Sequence, residues 1–454
     1  MLRALVLLLL GILLASGAAW LAGHDGRIVI DWLDYRIESS LAVLIGAAAL
    51  LFLAGMGLAR LWTWLWHDLP FSPRRRAERR TARGYDALNA ALVALAAGEG
   101  KAARRMTNRA MRLLPAQPLT HVVAAEAAKL AGDRGIARAH YEALAKDEKA
   151  GFLGLRGLIA EARAEGRPDE ARRQARAAVA LRPRSAWAQK TLFELAVEAG
   201  DWQEALQALD AAQRAGAFDP NTARRHRAAL LHARAVEADL AGDAGAALSL
   251  AEKALELRPG FTPAALLAAR HLLKAGKKRA AGQLLRRAWD AAPHPALLGP
   301  YRDLAPEETS HERCKRIESL VARRKDHVES QVALAAAALD ADRLDLARTV
   351  LHAAPLDYDR RLAALRLRLA EAEGDATAVA DLKRRVEAAP PPPSWVCDGC
   401  GASRPRWAVT CPQCGRFDSL VWRQPGVAAA ALGPAAAPLA LLGDSAATAA
   451  DRQA

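Results

Sequence analysis

Residues 181–212 read LRPRSAWAQKTLFELAVEAGDWQEALQALDAA, and the phase of this stretch decides the fold. Gly200 divides two runs whose apolar residues recur at helical spacing. A glycine there can take positive φ and end the first helix. Ala205 and Ala212 follow it by five and twelve residues, and such small side chains let facing helices approach closely. Pro183 ends the helix before, because proline lacks an N–H and clashes with the preceding turn. Outward from this unit the phase repeats. Gly98, Gly132, Gly166 and Gly200 stand 34 residues apart, as do Gly242 and Gly276, while Asp342 and Gly374 occupy similar turns 32 apart. Five residues beyond the turns lie Ala103, Ala137, Ala171, Ala205, Ala247, Ala281, Ala347 and Val379. Leu181-Arg182-Pro183 returns as Leu257-Arg258-Pro259. Unrelated helix pairs also contain Ala and Gly, but not at a fixed phase, so the pattern predicts stacked helix–turn–helix units.

The 34-residue unit resembles the tetratricopeptide repeat. The array is expected over residues 85–388, with eight recognisable repeats and an eroded one around Ser310, where Gly276 and Asp342 stand 66 apart. Gly200 and Gly242 are 42 apart, eight more than the period, which predicts an insertion near residues 215–222. The resemblance implies a concave groove that takes a protein, a peptide or a partner helix. Trp187, Trp202, Trp289, Phe193 and Tyr141 read as packing between repeats.

Composition agrees with helices. Hydrophobic residues make up 52% of the 454, but aromatics only 5%, so alanine supplies much of the apolar count. An all-β fold, which needs more β-branched and aromatic residues, is excluded. Charged residues at 25% are ordinary for a folded chain. Against 50 acidic residues stand 64 basic ones, a net charge of +14. The Ala and Arg bias matches a GC-rich bacterial genome, so the positive balance is not read as a nucleic-acid signal. Five cysteines are too few for a disulfide-dense secreted scaffold.

Toward the N-terminus, residues 4–22 and 39–59 are free of charge, and each is long enough to cross a bilayer. The expected order is a first transmembrane helix at residues 1–22, a periplasmic loop at 23–38, a second span at 39–59 and a basic juxtamembrane segment at 60–84. Arg60, Arg74, Arg75, Arg76, Arg79, Arg80 and Arg83 follow the second span, and basic flanks mark the cytoplasmic side. A two-pass protein of the bacterial inner membrane with its main body in the cytoplasm is therefore expected. The Arg run is foremost this orientation signal, and it also sets cations beside anionic membrane lipids. Trp20 and Trp32 fit one interfacial belt, and Trp62, Trp64 and Trp66 the other. A cleaved leader is the other reading of residues 1–22, and it leaves the orientation unchanged.

Toward the C-terminus, the prolines of residues 389–394 read as a stiff linker. Cys397-Asp398-Gly399-Cys400 and Cys411-Pro412-Gln413-Cys414 then form C-x2-C-x10-C-x2-C. Two such pairs suit one tetrahedral metal ion, with zinc favoured over a single iron. On the cytoplasmic side the thiols stay reduced, which disfavours disulfides. A module at residues 395–424 is too small to bury much of a core, so the ion would supply much of its folding free energy. Trp395, Trp407, Phe417 and Trp422 read as its mini-core. Arg404, Arg406, Arg416 and Arg423 leave nucleic-acid stacking as a minor alternative, and no nucleic-acid partner is expected. Cys314 reads as a buried apolar residue of the eroded repeat, and residues 425–454 as a disordered tail. The expected fold is all-α: a transmembrane hairpin, a tetratricopeptide-type α-solenoid and a small four-cysteine module of metal-ribbon or rubredoxin-like type.

No H-E-x-x-H, Walker loop, G-x-S-x-G elbow or G-x-G-x-x-G fingerprint occurs, so an enzyme is not expected. His226 and His232, six apart, read as packing or surface histidines. The loop Gly26-Arg27-Ile28-Val29-Ile30-Asp31-Trp32, followed by Tyr35-Arg36-Ile37-Glu38-Ser39-Ser40, resembles the HemY N-terminal family. That resemblance implies an inner-membrane scaffold or regulator linked to late haem biosynthesis, with haem-biosynthesis enzymes among its partners. The four-cysteine tail departs from the better-known members. It resembles the rubredoxin-like end of LapB-type tetratricopeptide proteins, which tune lipopolysaccharide assembly from the inner membrane. LapB-like envelope control and rubredoxin-like electron transfer are the alternative functions.

Overall fold

The structure is a computed structural model that describes residues 73–356 and 358–426 continuously, residues 27–32 and 35–67, and scattered positions between 12 and 23. The chain divides into two compact units, Met1–Ala143 and Leu144–Ala454.

The first unit opens with a hairpin where a loop was expected. Strands β1 (Arg27–Trp32) and β2 (Tyr35–Ser40) pair antiparallel, with Ile30 opposite Ile37. Ile28-Val29-Ile30 is a β-branched run, which favours extended backbone. The helix Leu41–His67 follows at once and runs beyond the expected end of the second span. Its segment Val43–Thr63 has mean hydropathy 2.0 and is unburied among the described residues. Leu50, Leu51 and Phe52 are each at least 70% exposed. A helix that is apolar all round and unburied is matched to hydrocarbon, not to a protein core. Among the described residues it is the one helix of this kind. The first expected span lies almost wholly outside them, as do residues 427–454 of the expected tail. Arg74, Arg75, Arg76, Arg79, Arg80 and Arg83 of the basic segment belong to the helix Pro73–Ala96, whose proline stands in its first turn, where a missing N–H costs nothing. Its partner is Gly100–Leu113, and Pro118–Leu130 follows.

The second unit stacks seven helix pairs. They are Gly151–Ala164 with Pro168–Leu181, Ala186–Glu198 with Trp202–Arg214, Pro220–Leu240 with Ala244–Leu257, Thr262–Lys274 with Lys278–Ala291, Leu298–Asp303 with Ser310–Val321, Val328–Asp340 with Leu344–Ala353, and Arg360–Glu373 with Ala376–Ala388. Each full turn is built as the sequence phase requires. At Gly200, with φ 72°, the glycine N–H bonds Val197 and the Asp201 N–H bonds Ala196, which closes the helix end. Asp201 then accepts the Glu204 N–H at 3.0 Å and caps the next helix. Asp342 fills the same place with φ 55°. The phased alanines Ala171, Ala205, Ala247, Ala281 and Ala347 are fully buried.

Two units depart from the period. The eroded repeat keeps only a six-residue first helix, Leu298–Asp303, with Cys314 fully buried behind it. The eight extra residues form no loop. Asp219 accepts two amides at 3.0 Å and Pro220 opens a helix of 21 residues, where its neighbour Ala186–Glu198 has 13. Eight residues are close to two helical turns, so the first helix of this pair is extended and its downstream phase is kept.

The C-terminal module is a three-stranded antiparallel sheet of β3 (Ser394–Cys397), β4 (Ser403–Arg404) and β5 (Leu420–Arg423), with β3 central. The linker is tied to the last helix pair by the Arg360 amide, which donates to the Pro390 carbonyl at 2.9 Å.

A candidate metal centre docked on the repeats

Two tight turns hold the four cysteines. Gly401 and Gly415, each one residue past a cysteine pair, have φ near 70° and return their amides at 2.8 Å to the carbonyls of Cys397 and Cys411. A side chain is disfavoured at that φ, which is why glycine stands there. The sulfurs of Cys397, Cys400, Cys411 and Cys414 all lie within 4.8 Å of one another. Cys397 and Cys414 Sγ are 3.7 Å apart, and so are Cys400 and Cys411 Sγ. Four sulfurs at zinc–thiolate distance on a tetrahedron stand about 3.8 Å apart, so the set fits one tetrahedral ion. The Gly399 amide donates to Cys397 Sγ at 3.3 Å, and the Ser419 hydroxyl is also at 3.3 Å. Burial opposes ionisation of Cys397, but the Ser419 hydroxyl and the Cys400 and Gly399 amides bring its thiol down to about 6. At Cys414 the Arg416 amide favours the thiolate, yet burial and the three other sulfurs prevail and push it up to about 12. Four sulfurs this close cannot all ionise unless a cation stands between them.

The aromatic residues around the knuckles do more than form a mini-core. Trp395 is buried with Cys397, Cys411 and Leu420. Trp407 packs against that cluster and also meets His232 at 5.4 Å and Phe261 at 5.0 Å between ring centres. Trp422 meets His294 at 4.1 Å. Phe417 meets Phe193 at 5.5 Å and His226 at 5.1 Å. The module thus lies along the first helices of the repeats, and Phe193 packs against it as well as between repeats. His226 and His232 pack, as expected, but against the module. Burial pushes the His232 imidazole down to about 4, and burial with Arg361 nearby does the same to His294.

Asp418 is the polar centre of this contact. Its side chain is 1% exposed. Arg225 Nε donates to its Oδ2 at 2.9 Å, His226 Nδ1 lies 3.2 Å from the same oxygen, and the Arg258 guanidinium is 3.7 Å from Oδ1. Arg225 and His226 belong to the two extra turns of Pro220–Leu240. Neither Asp418 nor its partners were singled out as site residues by sequence reasoning. The available signals were the eight-residue excess and the Phe-Asp pair directly after the second knuckle.

The comparisons with known proteins fall on the same segments. The HemY protein N-terminus family matches residues 26–132, and a tetratricopeptide repeat family matches residues 162–230 and 240–299. A curated relative, the probable magnetosome protein Mms48 of Magnetospirillum gryphiswaldense, is 28% identical over 459 residues and covers 96% of each chain. Among solved structures, a crystal structure of MamA is 22% identical, covering 37% of this chain and 93% of that one with a TM-score of 0.24. A tetratricopeptide repeat protein from Parabacteroides merdae is 15% identical, covering 52% and 93% with a TM-score of 0.25. The two family matches thus fall on separate stretches, one similar to the HemY protein N-terminus and the other similar to tetratricopeptide repeats.

Proposed function

We propose that the protein is a non-catalytic scaffold, anchored in the bacterial inner membrane by two spans, that gathers protein partners on the cytoplasmic side. One observation carries the reading. A helix whose apolar segment Val43–Thr63 is unburied among the described residues stands in the same chain as repeats whose buried residues serve to pack them on one another. The basic run after residue 60 supports the cytoplasmic orientation. The HemY-type segment supports a link to haem biosynthesis, and the name of the relative Mms48 supports a role at a magnetosome membrane as a second reading. Cys397, Cys400, Cys411 and Cys414 hold one zinc ion in this reading, as a structural clasp. A phosphatase or fluorescent reporter fused beyond residue 90 tests the topology, and activity confined to the periplasm would sink it. Crosslinking in membranes followed by pull-down should recover defined partners; recovery of none would count against the scaffold. Porphyrin and lipopolysaccharide levels in a deletion strain separate the haem role from envelope control. A colourless protein with one equivalent of zinc removes the rubredoxin-like electron-transfer reading, because a single iron held by four thiolates absorbs in the visible.

A further inference from the structure

The residues that receive Phe417 and Asp418 make a complete recognition pocket. Phe193 and Phe218 pack edge to face at 5.3 Å, and the His226 ring closes the box at 6.0 Å and 5.6 Å from them. The Phe417 ring enters this box edge-on to Phe193. One residue later, the chain turns through φ 46° at Asp418 and delivers its carboxylate to Arg225, His226 and Arg258. Every receiving group comes from the repeats: Phe193 from Ala186–Glu198, Phe218 from the turn between Trp202–Arg214 and Pro220–Leu240, Arg225 and His226 from the extension of Pro220–Leu240, and Arg258 from the end of Ala244–Leu257. Two guanidinium groups face one carboxylate, so the pocket keeps an excess positive charge with Asp418 in place. None of these groups is needed to hold the module's own sheet or its cysteines. They form a site for an aromatic ring with a carboxylate one residue on.

We propose that this pocket is a docking site for partner segments that carry an aromatic residue followed by aspartate, and that Phe417-Asp418 fills it in cis, so that partner and module compete. The proposal rests on the scaffold reading and names the chemistry of one class of partner. The excess positive charge favours segments with further acidic residues around the pair. Competition follows from covalent tethering, because the module is held beside the pocket at high effective concentration and an external segment gains access when the module lifts.

The test uses the full chain in detergent and a fluorescein-labelled peptide of residues 415–420, Gly-Arg-Phe-Asp-Ser-Leu, read by anisotropy. A double variant, Phe417→Ala with Asp418→Ala, should bind the peptide at least tenfold more tightly than the unchanged protein. Adding Arg225→Glu to that variant, or replacing the peptide's aspartate by asparagine, should abolish binding. Helical circular dichroism checks that the array stays folded. Should the double variant misfold, the unchanged protein serves. Chelation of its metal should reveal peptide binding, and zinc should reverse it. No binding to the opened pocket, or binding that ignores Arg225→Glu, overturns the proposal. Equal binding with the module on and off overturns the competition. Partners crosslinked elsewhere on the repeats would leave the scaffold reading standing in either case.

Discussion

Asp418 brings a charge into a nearly dry place, and its value depends on what faces it. Removing one partner of a buried pair strands the other, but Arg225 remains 49% and Arg258 34% exposed at their side chains, so water recovers part of the loss. Asp418→Ala should therefore weaken docking of the module by about 2 kcal/mol, short of the loss for a fully buried pair. Faster cleavage of the Pro-rich linker in limited proteolysis is the readout, and an unchanged rate would contradict the contact. The histidines add a pH dependence. His232 and His294 titrate at about 4 when packed, against about 6.5 when free, so the free state binds more protons between those values. Their contribution is complete above pH 6.5 and is lost as pH falls toward 4. Each would contribute up to about 3 kcal/mol, and histidine NMR should find both imidazoles neutral at about pH 5 in zinc-loaded protein. Around the candidate site, the spacing of the cysteines is legible in the sequence and the contacts of Asp418 are not. Ligand spacing is local, and two knuckles announce themselves within 18 residues, from Cys397 to Cys414. The Arg225–Asp418 pair spans 193 positions, and no local pattern encodes such a contact.

At the scale of elements, the turn governs. Seven of the eight turn positions hold glycine with φ between 67° and 87°, and the eighth holds Asp342 at 55°. Gly200→Ala forces a side chain into that region and should cost about 1 kcal/mol. Asp342→Gly should instead add stability of about that size, because it relieves the one non-glycine turn. Paired thermal melts check both, and a stabilising Gly200→Ala would show that the turn tolerates a side chain. The period that locates these turns is readable because each repeat solves the same packing problem with the same small residues. The fate of the eight extra residues is not. Counting fixes their number, but capping decides whether they loop or wind. Asp219 and Pro220 form a helix start, and the following Asn221-Thr222-Ala223-Arg224 continues it without a break. The hairpin of β1 and β2 escapes for a related reason: a short stretch between two apolar spans reads by its length as a loop, while its Ile-Val-Ile run favours a strand.

For the whole second unit, the question is which part depends on the metal. The repeats own their core, which runs through clusters such as Ala171, Ala175, Leu195 and Leu209, and through Leu285, Trp289, Leu320 and Leu351 farther along. The module's core is small: Trp395, Val396 and Leu420 are its buried apolar residues beside the candidate ligands Cys397 and Cys411. A thiolate site of this type contributes on the order of 10 kcal/mol to folding of a small metal domain, far more than so small a core supplies. Removing the ion should therefore unfold the module and leave the helices standing. Far-UV circular dichroism should lose little signal on chelation. Tryptophan emission should shift to the red as Trp395, Trp407 and Trp422 leave their contacts with the sheet, His232 and His294. Cys397→Ser should reproduce the shift without chelator, and one equivalent of zinc should reverse it in the unchanged chain only. Loss of the helical signal together with the tryptophan shift would mean that the module holds the array upright, and the division of labour argued from the two cores would then be wrong.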